Sequence, residues 1–281
     1  MLEADYEHKE YIKDDVLQFA NSYVPGLTAK CWWDTNDFSW CKYLEDHYDE
    51  IKKEFSSATS DMEALTKQGN NVWAGALTDD ASAYGVGWST LVLLDRGTWD
   101  PTNVALFPKT ANFVRESGIP AMEVFFASMK PNTDIKMHSD FTNFVLTSHL
   151  ALDIPESGSN KCRLTVGDET RQWINGQITL FDTSIMHDAR NEADRTRYIL
   201  MFRLWHPELT AIERDALQFI YDCLEVPDLV NPNDEMRFGA EQRRDTLRAF
   251  PLVSSAVRGF SSKSKKNKKK RKDSKGKGFG R

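Results

Sequence analysis

A histidine–x–aspartate pair and a distant histidine supply the ligand types of a mononuclear iron site. His138 and Asp140 lie two residues apart, and His187 follows 49 residues after His138. Residues i and i+2 of a β-strand project to the same face, so His138 and Asp140 can hold one metal ion while Ser139 points away. Two imidazoles and one carboxylate on one face of an ion leave about three octahedral positions open, which is typical of non-haem Fe(II) oxygenases. The sequence therefore predicts a catalytic metal site formed by His138, Asp140 and His187.

An arginine and a second pair of polar residues accompany these candidate ligands. Arg197 stands ten residues after His187. A guanidinium can bind a carboxylate through two parallel hydrogen bonds, which lysine cannot do, so Arg197 is a candidate for binding a carboxylate group near the metal site. The segment 143–152 alternates between two sets of residues, and Thr147 and His149 share the face that is polar enough to line a cavity. Thr147 and His149 are therefore expected to line a cavity.

The elements that must position these residues are short strands separated by turns. The pattern predicts strands at Trp88–Leu94, Ala121–Met129, Asn143–Leu152, Arg163–Val166, Arg171–Ile174, Gln177–Phe181 and Arg195–Trp205. The Asn175-Gly176 dipeptide is a typical two-residue turn and predicts a hairpin between its flanking strands, and His187 is expected to end the strand run. This pattern indicates a mainly β protein with flanking helices, a double-stranded β-helix of the jelly-roll, cupin-like type, rather than βαβ units.

The flanks of this strand-rich region have helical patterns. Met1–Val24 shows weak helical periodicity, and apolar residues recur at helical spacing over Tyr43–Phe55. Thr210 and Glu213 have the spacing of a capping box, and Ala240–Phe250 predicts a further helix. We predict a single oxygenase domain over 1–262, with an N-terminal helical region over 1–60, a core over about 84–210 and C-terminal helices over 210–252.

The last residues of the chain, 263–281, are strongly basic. They contain eleven Lys or Arg residues and one Asp, a local charge of +10 that leaves −16 on residues 1–262 because the whole chain carries −6. The acidic body is expected to bind nucleic acid poorly. The run over 265–272 is typical of a nuclear-import signal or a polyanion tether that contacts import machinery or polyanions. The alternative is a disordered, solvated tail that mainly aids solubility.

Deletion of 263–281 separates these two interpretations of the tail. If the basic run is an import signal, a fluorescent fusion of the truncated protein is expected to move from the nucleus to the cytoplasm, because the receptor-binding charges are gone. Microscopy of the full-length and truncated fusions in the same cells measures the change. An unchanged distribution would remove the import hypothesis.

Cysteine content and the N-terminal residues indicate the compartment. Four cysteines with no C-x-x-C pair indicate reduced thiols rather than a disulfide framework or a zinc ribbon. Residues 1–10 are charged rather than signal-like, and no apolar stretch is long enough to cross a bilayer. The sequence therefore predicts a cytoplasmic or nuclear protein that does not insert into a membrane.

Several motifs follow one another in a fixed order along the chain. They are Gly87–Ser89, Pro108–Thr110, His138–Asn143, His149, Gly176–Ser184 running on to His187, Arg197 and Trp205–Leu209. Together these motifs resemble the aspartyl/asparaginyl β-hydroxylase family of Fe(II)- and 2-oxoglutarate-dependent oxygenases. The resemblance covers roughly residues 33–210.

The resemblance implies an activity and roles for individual residues. It implies that His138 and His187 bind Fe(II), that Arg197 holds the far carboxylate of 2-oxoglutarate, and that His149 assists at the other carboxylate. Thr147, on the same strand face as His149, is a further candidate cofactor-binding residue. The implied reaction consumes 2-oxoglutarate and O2, releases succinate and CO2, and hydroxylates a C–H bond of an aspartyl/asparaginyl-type or other amino-acid or peptide substrate. In such enzymes the cofactor carries the oxidation and the protein positions the C–H bond.

The chain departs from the family pattern at three places. Family members such as the animal hydroxylase have glycine where Asp140 stands, so this chain is expected to form a complete triad. Val145 and Thr147 replace two family arginines that contact acidic groups of substrate and co-substrate, which places an aspartyl substrate in doubt. A family serine at the 2-oxoglutarate site aligns with Ala127, which leaves the adjacent Ser128 as a candidate cofactor-binding residue.

Two other classes of function are compatible with the same residues. A non-oxygenase metal-binding protein of the cupin type could use the same histidines, and a non-catalytic interaction protein could retain the fold after losing the two arginines. Binding of 2-oxoglutarate to the metal-loaded protein separates an oxygenase from both. Polypeptides, small amino acids and lipid precursors all remain open as substrates.

Overall fold

The computed structural model describes residues 10–13, 16–60, 74–75 and 87–251. The described residues up to Pro251 belong to one compact unit. The predicted disordered tail over 263–281 lies outside the described residues, so the predicted domain boundary at 262 stays a prediction. None of the described helices is long and apolar enough to cross a bilayer.

Antiparallel sheets dominate the described residues. The strands are β1 (Glu10–Lys13), β2 (Val16–Ser22), β3 (Ala74–Gly75), β4 (Trp88–Asp95), β5 (Thr98–Trp99), β6 (Ala121–Met129), β7 (Thr133–His138), β8 (Phe141–Thr142), β9 (Val145–Asp153), β10 (Cys162–Val166), β11 (Glu169–Gln172), β12 (Ile178–Asp182), β13 (His187–Asn191) and β14 (Arg197–Trp205). The large sheet has the order β12-β9-β14-β6-β4-β3, with β5 paired to β4, and the small sheet has the order β11-β10-β13-β7. A third sheet has the order β1-β2-β8.

The large and small sheets enclose a shared apolar layer. Ala127 and Ile199 of the large sheet belong to the same buried cluster as Leu164 and Ala189 of the small sheet. Side chains on the inner faces of two packed antiparallel sheets interdigitate in this way in jelly rolls. The prediction of a mainly β, double-stranded β-helix with flanking helices is therefore confirmed.

Helices flank the sheets. They are α1 (Ser39–Asp46), α2 (Tyr48–Ala58), α3 (Pro101–Leu106), α4 (Pro108–Ser117), α5 (Ala211–Glu225) and α6 (Asp234–Arg248), with short 3-10 turns at Thr35–Asp37 and Pro227–Val230. Leu44 and Ile51 from α1 and α2 share a second buried cluster with Phe126 and Phe202 of the sheet. Because β14 is covered on both faces, most of its side chains are apolar. The predicted capping box at Thr210 is also present at the start of α5.

The helix predicted within Met1–Val24 is wrong for the part of this segment that is described. Residues 10–13 and 16–22 form the antiparallel pair β1 and β2, and β2 also pairs in parallel with β8. Gln18 and Ala20 are buried while Leu17 is exposed, which is a period of two rather than 3.6. The segment forms a strand because it pairs with β8, which is distant in sequence, and this pairing outweighs the weak local helical periodicity.

The predicted hairpin around Asn175-Gly176 is also wrong, although the turn itself is present. Gly176 has a φ of +80°, and the Asn175 side chain accepts a hydrogen bond from the Ile154 N–H (2.8 Å). The strand before the turn, β11, pairs with β10, and the strand after it, β12, pairs with β9. The turn therefore carries the chain from the small sheet to the large one, which local turn chemistry alone cannot distinguish from a hairpin.

Candidate metal centre and cavity

Two strands of the small sheet bring the distant histidines together. His138 is the last residue of β7 and His187 is the first residue of β13, and the two are direct register partners. Their ring centroids are 4.2 Å apart. The sequence pattern placed His187 at the end of a strand, whereas it begins one. Its position follows from the pairing of β13 with both β7 and β10.

Both imidazoles are oriented by backbone carbonyls. His138 Nδ1 lies 2.7 Å from the Lys136 carbonyl oxygen, and His187 Nδ1 lies 2.9 Å from the Ile185 carbonyl oxygen. A carbonyl oxygen accepts a hydrogen bond, so each Nδ1 carries the proton and Nε2 is left as the lone-pair nitrogen. This arrangement is the usual one for metal-binding histidines.

Asp140 completes a compact group of donor atoms. One ligand atom each from His138, Asp140 and His187 lies within 4.8 Å of the others. The Asp140 backbone N–H donates to the Thr183 carbonyl oxygen (2.8 Å), which fixes the chain next to the loop that leads to His187. The Ser139 hydroxyl donates instead to the Phe19 carbonyl oxygen of β2 (2.7 Å). The structure therefore brings together the three predicted metal-site residues and turns Ser139 away from them.

The charges of these groups suit a divalent metal. Burial alone would raise the pKa of Asp140, but the Arg203 guanidinium and the two imidazoles hold that pKa below its ordinary value. Burial lowers the pKa of His187. Near neutral pH the carboxylate is therefore ionised and the His187 imidazole is neutral, which are the forms that bind metal ions. Two imidazoles and one carboxylate form a donor set that fits Fe(II).

A cavity between the sheets continues inward from these residues. Its polar lining includes the metal-site residues His138, Asp140 and His187, the side chains of Thr147, His149 and Thr183, and Arg197. Apolar side chains such as Ile135, Ile199 and Met201 form much of the remaining wall. The metal-site residues and the predicted co-substrate residues Thr147, His149 and Arg197 therefore face one common space.

Arg197 is a buried cation with few polar partners. Only 1% of the residue is exposed, and its guanidinium lies 4.3 Å from the centre of the Trp173 ring. Nη2 is 3.8 Å from Met129 Sδ, while Nε and Nη1 have no hydrogen-bond partner among the described residues. Burial lowers the pKa of Arg197 to about 10, so it keeps its charge at neutral pH. Burying an unpaired cation is costly, and an anion in the cavity would offset that cost.

His149 and Thr147 add two further polar groups to the same cavity. His149 Nδ1 accepts a hydrogen bond from Trp173 Nε1 (3.2 Å), so the ring proton of the neutral imidazole is on Nε2. Burial, and then the charges of Arg197 and His187, hold the pKa of His149 well below its ordinary value. His149 Nε2 and Thr147 Oγ1 have no hydrogen-bond partner among the described residues. Both can therefore donate to an acceptor in the cavity.

The structure does not bring Ser128 to the cavity. Its hydroxyl lies 2.8 Å from the Ser89 hydroxyl on the neighbouring strand. Ala127 and Met129 pack in the layer between the sheets, whereas Phe126 belongs to the cluster under the helices. Because alternate residues of a strand face opposite sides, Ser128 shares the outward face with Phe126. The position of Ser128 therefore gives no support to its predicted cofactor role.

Two residues of the site had no functional role in the sequence interpretation. Trp173 contacts both His149 and Arg197. Arg203, which shares a face of β14 with Arg197 but had no assignment, lies with Nη2 3.5 Å from Asp140 Oδ2. The even spacing of Arg197 and Arg203 along the strand indicates that Arg203 faces the same side as Arg197. Its partner, Asp140, can be identified only from the fold.

A buried carboxyl group supports the loop between β12 and β13. Asp182 accepts hydrogen bonds from the Ser184 N–H (2.9 Å), the Ser184 hydroxyl (2.6 Å) and Gln18 Nε2 (3.0 Å). Burial outweighs these contacts and raises the pKa of Asp182 from 3.8 to about 6. The folded protein therefore holds the Asp182 proton to a higher pH than the unfolded chain does.

This shift predicts a pH dependence of stability. A folded-state pKa above the unfolded value gives stability that is present below pH 4 and is lost as the pH rises through 6. Relative to Asp182→Asn, the wild-type free energy of unfolding should fall by up to about 3 kcal/mol between pH 4 and pH 7. Urea denaturation of both proteins at several pH values measures this difference. Parallel curves across the whole range would show that Asp182 titrates normally.

Comparisons with known proteins agree with the motifs. A family model described as Aspartyl/Asparaginyl beta-hydroxylase matches residues 45–207. A mouse protein named aspartyl/asparaginyl beta-hydroxylase is 29% identical over 221 residues, which cover 76% of this chain and 28% of that protein. Human aspartate beta-hydroxylase domain-containing protein 2 is 34% identical over 142 residues, covering 48% of this chain and 37% of that protein.

A bacterial relative has a different kind of name. The Rhizobium tropici protein named ornithine lipid ester-linked acyl 2-hydroxylase is 28% identical over 170 residues, which cover 60% of this chain and 58% of that protein. The chain therefore spans between 28% and 58% of the length of these three relatives. The matched family region includes every residue of the metal centre and the cavity lining described above.

Proposed function

The chain belongs to the aspartyl/asparaginyl β-hydroxylase family, and from this premise we propose that it is an Fe(II)- and 2-oxoglutarate-dependent hydroxylase. One observation carries the proposal. The cavity that receives the donor atoms of His138, Asp140 and His187 also contains Arg197, a buried cation without a carboxylate partner among the described residues. A metal centre and an unpaired guanidinium in one cavity suit a dicarboxylate that chelates the metal at one end.

The proposed roles follow from the chemistry of each group. His138, Asp140 and His187 would hold the iron from one side and leave positions open for ligands. Arg197 would bind the remote carboxylate of 2-oxoglutarate, and the proton on His149 Nε2 and the Thr147 hydroxyl can donate to its other oxygens. Bound Fe(II) and 2-oxoglutarate supply the oxidising power that inserts one oxygen atom of O2 into a C–H bond, with succinate and CO2 as the other products.

The walls of the cavity protect this chemistry from water. Trp88, Leu164, Phe181 and Met201 line it together with the polar groups. Apolar walls lower the local dielectric constant, which strengthens the attraction between the Arg197 guanidinium and a bound carboxylate. Excluding water also limits side reactions of a bound oxidant.

The substrate is proposed more broadly than the family name suggests. Val145 packs against Phe144 and Trp205 in an apolar cluster, and Thr147 is neutral, so neither position offers a cation to an acidic substrate. We therefore propose an amino-acid or peptide substrate whose recognition does not depend on a cation at these two positions. The name of the Rhizobium tropici relative makes lipid acyl chains a second substrate class to test.

The test begins with the co-substrate and not with the substrate. Under anaerobic conditions, protein loaded with Fe(II) is expected to develop a visible metal-to-ligand charge-transfer band when 2-oxoglutarate is added, because the open metal positions allow chelation. Peptides, free amino acids and acylated lipids are then screened by mass spectrometry for the addition of one oxygen atom together with release of succinate. Iron binding without the band would favour a non-oxygenase metal protein. If the protein neither binds iron nor develops the band, a non-catalytic interaction protein is favoured.

A further inference from the structure

Arg203 lies beside the carboxylate of the proposed metal centre. It is on β14, on the face that also carries Arg197, and its Nη2 is 3.5 Å from Asp140 Oδ2. The other carboxylate oxygen, Asp140 Oδ1, is 3.6 Å from His138 Nε2. The two oxygens of Asp140 therefore have different neighbours. Oδ1 faces the imidazole that supplies a metal ligand, and Oδ2 faces the guanidinium.

Arg203 is in turn held by the strand next to it. Glu123 of β6 is its register partner, and Arg203 Nη1 lies 3.3 Å from Glu123 Oε2. The side chains of Arg203 and Glu123 are 24% and 15% exposed, so both are largely shielded from water. The planar guanidinium bridges two carboxylates with its two terminal nitrogens, and this fixed fork limits its orientation.

Asp140 needs such support because it is not within a strand. It lies between β7 and β8, and the next residue, Phe141, has a φ of +60°, which is unusual for a side chain of this size. The backbone N–H of Asp140 is bound to Thr183, but a backbone bond does not fix the rotation of the carboxylate. In metal sites, the orientation of a ligand is commonly fixed by neighbouring groups that hydrogen-bond to it.

We propose that Arg203 is a positioning residue that holds Asp140 Oδ2 and so presents Oδ1 alone to the metal, with Glu123 fixing Arg203. The proposal rests on the proposed metal site. Arg203 acts through Asp140 and is not a metal ligand. Its contribution therefore depends on the presence of the Asp140 carboxylate, which makes the proposal testable by a double-mutant cycle.

The first measurement is metal affinity of the apoprotein. Arg203→Met is expected to weaken Co(II) and Zn(II) binding by about 10- to 100-fold, the range seen when groups supporting metal ligands are removed. Arg203→Lys, which keeps the charge without the fork, should recover part of this loss. Glu123→Gln should give a smaller loss in the same direction. Arg195→Gln, which removes an exposed arginine paired with Asp153, is the matched control and should leave the affinity unchanged.

The second measurement repeats Arg203→Met in an Asp140→Ala background. With the carboxylate absent, the substitution is expected to cause no further loss of affinity. Zn(II) is used because it binds nitrogen ligands more tightly than Fe(II), which keeps the weakened site measurable. Equal losses in the two backgrounds would overturn the proposal, since they would mean that Arg203 supports the fold and not Asp140.

The same titrations distinguish failure of this proposal from failure of the proposed function. If the wild-type protein binds no metal, or if the His187→Ala variant binds metal as tightly as the wild type, both the positioning role of Arg203 and the proposed function are ruled out. Wild-type binding that requires His187, combined with an Arg203→Met effect independent of Asp140, would overturn only the positioning role. Co(II) absorption spectra give a second readout, because a change in carboxylate binding alters the coordination geometry without requiring any turnover.

Discussion

An Arg197→Met protein is expected to lose 2-oxoglutarate binding while remaining at least as stable as the wild type. Removing one partner of a buried, hydrogen-bonded charge pair costs about 2–5 kcal/mol of binding free energy, which raises the Kd for 2-oxoglutarate by between one and nearly four orders of magnitude. Turnover at ordinary co-substrate concentrations should fall to background. A purely structural arginine would show the opposite combination, with lost stability as the main effect.

The expected stability follows from the surroundings of Arg197 in the ligand-free protein. Nε and Nη1 have no hydrogen-bond partner among the described residues. The charge is compensated by the Trp173 ring at 4.3 Å and by a weak contact of Nη2 with Met129 Sδ at 3.8 Å. A cation over an aromatic face contributes about 2 kcal/mol when desolvated. Replacing buried ionic groups by apolar side chains of similar volume is often neutral or stabilising by about 1–4 kcal/mol. Methionine therefore fits the site without the cost of burying a charge.

Two measurements on the same preparations test this prediction. Calorimetric titration of the metal-loaded proteins gives the Kd for 2-oxoglutarate, and urea denaturation of the apoproteins gives the free energy of unfolding. Arg197→Lys should bind 2-oxoglutarate weakly because it has charge but no fork, and the exposed Arg195→Gln should behave as wild type. An unchanged Kd for Arg197→Met, or a loss of several kcal/mol of stability, would contradict the assigned role.

His187→Ala is expected to remove metal binding and turnover, and Asp140→Ala to weaken both strongly. Each substitution deletes a donor atom from a group whose members lie within 4.8 Å of one another. Loss of a ligand should exceed the roughly 10- to 100-fold effect of losing a group that only supports a ligand. Asp140→Ala is the more informative of the two, because it tests whether the carboxylate is needed in addition to the two histidines.

Metal titrations and product analysis measure these effects together. His47→Gln is the control, because His47 lies between α1 and α2 with its Nδ1 against the Tyr43 carbonyl oxygen and is absent from the cavity lining. Its metal affinity and turnover should match the wild type. If Asp140→Ala kept full iron affinity and activity, the site would be a two-histidine site and Asp140 would serve some other purpose.

The ligand types could be predicted from the sequence, but their partners in space could not. His138 and Asp140 are two residues apart, so the period of a strand alone places them on one face. The direct pairing of His138 with His187 depends on the register of β7 against β13, which no local pattern fixes. For the same reason the local pattern does not show that His187 begins its strand.

The sequence does not predict reliably on which side of a sheet a side chain lies when the prediction depends on one neighbouring residue. Ser128 adjoins Ala127, but a shift of one residue along a strand reverses the face, so the two side chains point to opposite sides of the sheet. The contacts of Arg203 with Asp140 and of Trp173 with His149 cross between elements that are distant in sequence. The helix predicted for the N-terminal segment is wrong for the same reason, since the strand β2 is fixed by its pairing with β8, which is distant in sequence.

The most direct measurement of the central claim is anomalous diffraction at the iron edge from crystals grown anaerobically with Fe(II) and 2-oxoglutarate. The expected map has a single strong peak in contact with His138, Asp140 and His187, and density for a dicarboxylate that runs from this peak to the Arg197 guanidinium. A peak elsewhere, or an iron peak with Arg197 still unpaired in the presence of saturating 2-oxoglutarate, would contradict it.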